Sequence, residues 1–230
     1  MRFSSVRLLG LTTVTLWSMV QTPGMSHAVS FTFTLDTTAL ATQPTPPKPF
    51  ALDFQFLDGD RTMSNTVTLS HFEFGAGGGP NGSPTISGGA SGDLSGTVTL
   101  TDSSFFNELF QGFTPSGSDP LRFLLTLTTN VEPVRPDTFT LAIFDSSGTE
   151  IPTSSLSDAF ARIDITNPLT INTYASDTRI APPGCPTCPA IALGAPVVEL
   201  ASAPVPEPGT VLLLVSGVAV ALLAQRRRRG

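Results

Sequence analysis

Apolar and polar residues alternate in step through much of the chain. Val29-Ser-Phe-Thr-Phe-Thr-Leu35 is the first clear case, and Phe50 to Leu57 repeats it with Phe50, Leu52, Phe54 and Phe56 in phase. A period of two marks a half-buried strand, because successive side chains point to opposite faces of a sheet. Thr66 to Phe74 continues the pattern through Val67 and Leu69, then through His71 or, with a change of phase, through the flanking Phe72 and Phe74. Further strands are expected over Gly96 to Thr101, Leu121 to Thr129, Thr138 to Phe144, Phe160 to Thr166 and Leu169 to Tyr174. The eight segments are short, rich in Thr, Val, Phe and Leu, and separated by turn-forming stretches. They predict an all-β fold, an antiparallel two-sheet sandwich of jelly-roll kind.

One segment carries a different period. Between Asp102 and Phe113, residues Phe106, Leu109, Phe110 and Phe113 follow i, i+3, i+4, i+7, with Asp102 or Ser103 as N-cap and Gly112 as stop. That spacing predicts a short helix whose Phe face plugs an open end of the sandwich. The connections read mainly as spacers. Gln43 to Pro49 holds four prolines and must be an exposed loop, since proline cannot donate to a ladder. Gly75 to Gly92 holds eight glycines and reads as a flexible loop or an irregular edge. Residues 180–208 hold eight prolines and show no strand pattern, so 181–204 is expected to be a Pro-rich stalk.

The two ends of the chain follow neither strand period. Arg2 and Arg7 precede an apolar run from Leu8 to Val20, and Ser26-His27-Ala28 supplies a small-x-small cleavage site before Val29. This is the pattern of an export leader over 1–28, removed by a signal peptidase. At the other end, Thr210 to Ala224 is uncharged and almost wholly Leu, Val, Ala and Gly, followed by Arg226, Arg227, Arg228 and Arg229. Fifteen helical residues cover roughly 22 Å, short of a hydrocarbon core of about 30 Å. Including Pro208 to Gln225 and letting the arginines snorkel makes a spanning helix feasible. The arginines belong on the cytoplasmic side, which places the bulk of the chain outside.

Charge then narrows the partners. Of twelve basic residues, six lie in these terminal stretches, while all eighteen acidic residues lie between Val29 and Pro208. The exported part therefore has a net charge near −12, which argues against nucleic acid and anionic lipid as electrostatic partners. The domain from 29 to 180 is long enough to build a core of its own.

Chemistry is sparse. His27 leaves with the leader, so His71 is the one exported histidine. No Gly-x-Ser-x-Gly turn supplies a nucleophile, and Lys48 sits in the proline-rich loop. The domain is expected to be non-catalytic and to need no cofactor. Asp58-Gly59-Asp60 after a Phe-rich strand is a candidate calcium turn, against its reading as an ordinary Asp-Gly turn. Cys185 and Cys188, the only cysteines, form a disulfide candidate in an oxidising compartment. A polysaccharide platform would use exposed Trp or Tyr, yet Trp17 is in the leader and Tyr174 stands alone, while the phenylalanines alternate inward.

The tail resembles a known family. Val205, then Pro206-Glu207-Pro208, a short apolar helix and a terminal Arg cluster are similar to the PEP-CTERM sorting signal of exopolysaccharide-producing, mostly Gram-negative bacteria. The resemblance covers about a tenth of the chain, here 205–230. It implies that Pro206, Glu207 and Pro208 are read by a membrane-embedded exosortase. Val211, Leu212, Leu213, Leu214 and Val215 through Ala224 would be the transmembrane segment, and Arg226 to Arg229 the stop-transfer cluster. The precursor would sit in the inner membrane with its N-terminal bulk outside, then be cut and passed to the cell surface or a polysaccharide-rich biofilm matrix. The Asp145 to Pro152 turn and the Leu125 to Asn130 run look similar to a recurring class of cargo domains of this kind, which implies no activity. The runner-up role is a secreted calcium- or polysaccharide-binding module.

Overall fold

A computed structural model describes residues 28–43, 50–59, 61–62, 64–130, 135–145, 147–178 and 190–201. Two six-stranded antiparallel sheets face each other across one core. In chain order the strands are β1 (Ala28–Leu35), β2 (Phe50–Leu57), β3 (Thr66–Glu73), β4 (Gly79–Ser87), β5 (Ala90–Gly92), β6 (Val98–Thr101), β7 (Phe106–Thr114), β8 (Leu121–Thr128), β9 (Thr138–Phe144), β10 (Ala161–Asp164), β11 (Thr170–Thr173) and β12 (Val197–Leu200). A single helical turn, α1 (Thr38–Ala41), follows β1.

The first sheet runs β12-β1-β8-β3-β6-β5 and the second β11-β10-β9-β2-β7-β4. Strand β1 pairs with β8, β2 with β7 and β3 with β6, while β4 and β5 are joined by the Gly88-Gly89 turn. One long hairpin is thus wrapped around a barrel-like core, which is the jelly-roll arrangement expected from the strand pattern. Strands β9, β10 and β11 widen the second sheet.

Every one of the eight expected strands forms. Their inward positions meet in a Phe-rich core: Phe33 stacks on Phe123 within the first sheet at 5.1 Å, and Phe54 of the second meets Phe123 edge-on at 5.7 Å. Offset and edge geometries of this kind suit the ring quadrupole and add to the area term. In β3 the phase does change. The pairing register slips between Ser70 and Glu73, and His71 adopts φ +55°. This bulge turns His71 outward and brings Phe72 and Phe74 in step against Phe54, Phe113 and Phe123.

Two expectations fail. The segment expected to be a short helix is β7, lying between β2 and β4. Its inward set is Asn107, Leu109, Gln111 and Phe113, and the two polar members are what hid the period of two. They are satisfied internally. Asn107 Nδ2 donates to Phe56 O (3.0 Å) and its Oδ1 accepts from Gly89 N (2.7 Å). Gln111 accepts from Leu94 N and donates to Gly82 O, both at 2.8 Å. A helix would gain its own backbone bonds, but the strand gains ladders on both sides and these side-chain bonds as well.

The stalk reading also fails for residues 190–201. Ile191 and Leu193 are buried in the core, Ser176 N donates to Leu193 O (3.0 Å), and Leu193 N donates to Ser176 Oγ (2.7 Å). Beyond Pro196 the chain pairs with β1 as β12. The segment is a strap running from the β10–β11 side of one sheet to the edge of the other. Gly75 to Gly92 resolves as the irregular edge, with β4 interrupted by a register shift between Asn81 and Thr85.

Candidate functional site

Register places β1's start, β12's end, β8's end, β3's start and β6's end at one end of the first sheet. Ala28 lies opposite Thr128, Val67 opposite Leu127, and Thr66 opposite Thr101, while Ala201 N donates to Ser30 O (2.9 Å). Ala28 and Ala201, the two ends of the described domain, thus share one end of the sheet, the exit end.

The exit end is closed by a buried polar network centred on Asn65. Asn65 Nδ2 donates to Asn130 O (2.8 Å) and to Asp137 Oδ2 (2.9 Å). Its Oδ1 accepts from Asn130 N (2.9 Å) and Thr128 Oγ1 (3.1 Å). Asp102 Oδ2 accepts from Ser64 N (2.8 Å) and Asn65 N. Asp137 Oδ1 accepts from Gly59 N (2.8 Å). Gly59 is required there, because a Cβ would lie 2.4 Å from Pro136 O. Burial raises the pKa of Asp137; the Asn65 and Gly59 hydrogen bonds oppose that rise, and repulsion from Asp102 and Asp58 adds to it.

Asp58, the described half of the calcium candidate, is buried and accepts from Arg61 N. Its intended partner Asp60 lies outside the described residues. The carboxylates around Asp58 are engaged by amide donors, and among the described residues no group of three or more His, Cys, Asp or Glu is arranged to hold a metal ion.

A second buried acid lies on the outer face of the second sheet. Asp53 of β2 sits opposite Phe110 and Ala142, and Phe110 meets Phe144 edge-on at 5.1 Å. Gln55 Nε2 donates to Asp53 Oδ2 (2.7 Å), while Asp53 Oδ1 has no partner. Burial pushes this carboxyl from 3.8 to about 7, the Gln55 bond opposing and Glu108 and Glu150 adding to the rise. An unpaired carboxylate oxygen in an apolar setting favours the protonated acid.

His71 opens onto the outer face of the first sheet. It lines a shallow depression of about 270 Å³ with Thr32, Glu73, Arg122, Phe123 and Leu124, and its Nδ1 lies 3.0 Å from Ser70 Oγ. No described Ser, His and Asp are hydrogen-bonded in series there.

Of the remaining residues singled out in the sequence, Ala28 and Val29 fall in β1. Ser26, Cys185, Cys188, Val205, Pro206, Glu207, Pro208, the run from Val211 to Ala224, and Arg226 to Arg229 lie outside the described residues. No described helix is long and apolar enough to cross a membrane. The polar network was not legible beforehand: Asn65, Asp102 and Asp137 each stand just outside a strand, where polar residues are ordinary turn formers. Asp53 could have been found, as an acid set between Leu52 and Phe54 in a Phe-rich strand run.

A two-sheet jelly-roll whose described ends, Ala28 and Ala201, lie at one end of a sheet, in a chain with an apolar, Arg-terminated tail, is a domain carried with a C-terminal address. That address is identifiable: residues 204–229 match the family model of the PEP-CTERM protein-sorting motif. The motif implies an exported protein, anchored in the membrane before processing and recognised by an exosortase. No curated protein and no solved structure matches the chain.

Proposed function

We propose that the protein is a non-catalytic cell-surface or extracellular-matrix component, delivered by its sorting motif and released or transferred after cleavage near Pro206 to Gly209. The observation that carries this reading is the sorting motif at residues 204–229, separated from β12 by only a few residues. The domain supports it, because the buried polar groups at its exit end are engaged with one another rather than converging on an open cleft. The leader over 1–28 would be removed by a signal peptidase, and the acidic domain would meet neutral or cation-bridged polysaccharide rather than nucleic acid.

Intact mass of the protein recovered from outside its host tests the proposal. The expected mass runs from Val29 to between Pro206 and Gly209, with any extra mass reporting glycosylation or a covalent anchor. A surface protein still carrying residues 211–230 would overturn the cleavage step.

A second reading is a secreted calcium-binding module, favoured by the like-charge repulsion that Asp102 and Asp58 exert on Asp137 at the exit end. A calcium-dependent rise in Tm, abolished by Asp58→Asn, would favour it over the structural role.

A further inference from the structure

Six large apolar side chains are exposed among the described residues, and three of them stand at the exit end. Phe105, Phe106 and Leu200 are exposed there, Phe105 at 62% and Leu200 at 71%. Asp58 N donates to Phe105 O (3.1 Å) and Phe106 lies opposite Leu57, which fixes both phenylalanines at the point where β2 leaves its sheet. Two of these three side chains precede or begin β7, and the third closes β12 one residue before the chain departs at Ala201.

Chain length then limits where this end can be. From Ala201 to Gly209, where the uncharged run begins, there are eight residues, which reach at most about 29 Å when fully extended. The eight-residue strands β1 and β8 are themselves roughly 27 Å long. For the far end of the sandwich to meet the membrane, the connection would have to double back along the whole domain. No length would remain to enter the bilayer. Charge does not draw this end to the membrane, because Arg61 and Arg135 stand there beside Asp58, Asp102 and Asp137.

We infer that the exit end is the face the anchored precursor holds against the lipid surface, with Phe105, Phe106 and Leu200 as the side chains that enter the headgroup layer. Aromatic and aliphatic side chains at the end of a tethered domain gain from partial burial there, even where net charge opposes the approach. The inference rests on the reading that the tail anchors the chain before processing. It adds which face of the cargo an exosortase meets first.

The test uses the uncut full-length chain with Trp17→Phe, which leaves it without tryptophan. Tryptophan is then placed at Phe105, Leu200 or Leu156, the last fully exposed in the loop between β9 and β10. Each variant is reconstituted into phosphatidylethanolamine–phosphatidylglycerol vesicles containing bromine-labelled lipid. Expected are blue-shifted emission and loss of intensity for Phe105→Trp and Leu200→Trp, with Leu156→Trp unaffected. Flotation with the vesicles but no quenching at 105 or 200, or equal quenching at 156, would overturn the inference and leave the anchor intact. Failure to float would remove both. Leu200→Trp keeps the test valid if Phe105→Trp does not fold.

Discussion

Asn65, one residue before β3 in the first sheet, donates its side-chain amide to Asp137, one residue before β9 in the second, across 2.9 Å. The two are 72 residues apart in sequence, and both are almost fully buried. This contact holds the two sheets together at the end from which the chain enters and leaves. Asn65→Ala removes it together with the bonds to Asn130 and Thr128, and leaves Asp137 buried with one fewer donor. Stranding buried acceptors costs more than losing a neutral hydrogen bond, so the expected loss is about 2–4 kcal/mol. Thermal or urea unfolding measures it. A change indistinguishable from a surface substitution would show that the network contributes nothing net.

Asp53 gives the domain a pH dependence of definite sign. Its folded pKa is raised from 3.8 to about 7, so the folded state holds a proton that the unfolded chain releases. The associated stability is fully present below pH 3.8 and is lost as pH rises through 7. The shift corresponds to something on the order of 4 kcal/mol. Glu150, raised mainly by burial, and Asp137 act in the same direction. Asp36, held down by the hydroxyl and amide of Thr38, acts in the opposite direction as pH falls. Asp53→Asn is expected to be more stable than the parent at pH 8 and to lose most of the slope between pH 5 and 8. Unfolding midpoints across that range decide it, and an unchanged slope would place the proton elsewhere.

The strap accounts for much of the difference between what the pattern predicted and what forms. Eight strands were legible because each buries one face, so the period of two is written in Phe, Leu and Val. Strand β7 was not, since Asn107 and Gln111 occupy inward positions and only their partners, distant in sequence, make them suitable there. Strand β4 was hidden by its glycines and prolines, which an edge strand tolerates. Residues 190–201 were hidden because an edge strand of four residues next to several prolines carries no period. Of the candidate chemistry, the sorting motif was fully legible, being contiguous. The Asn65 network was not, since it is assembled from four separate loops and strand ends.

Burial of Ile191 and Leu193 makes the boundary testable. Leu193→Ala deletes a side chain only 3% exposed, and is expected to cost about 2–4 kcal/mol. Leu200→Ala, at an exposed edge position, should stay within about 0.5 kcal/mol of the parent. Urea midpoints of the two variants separate the possibilities. If Leu193→Ala were as mild as Leu200→Ala, the strap would be a passive spacer and the domain would end near Ser176.

Leader removal is constrained by the same architecture. Ala28 and Val29, which flank the expected cut, pair with Thr128 and Leu127 of β8. Ser30 is held as well: its Oγ lies 2.8 Å from Thr126 Oγ1 and its carbonyl accepts from Ala201 N. A peptidase binds its substrate as an extended strand, so it must compete with β8 and β12 for the same backbone groups. Cleavage is therefore expected to precede docking of β1. Purified signal peptidase should cut the precursor rapidly when it is diluted from denaturant and slowly once it has refolded. Thr126→Ala should raise the slow rate by loosening the end of β1. Equal rates before and after refolding would mean that this end opens freely, and that the sandwich places no order on the two processing events.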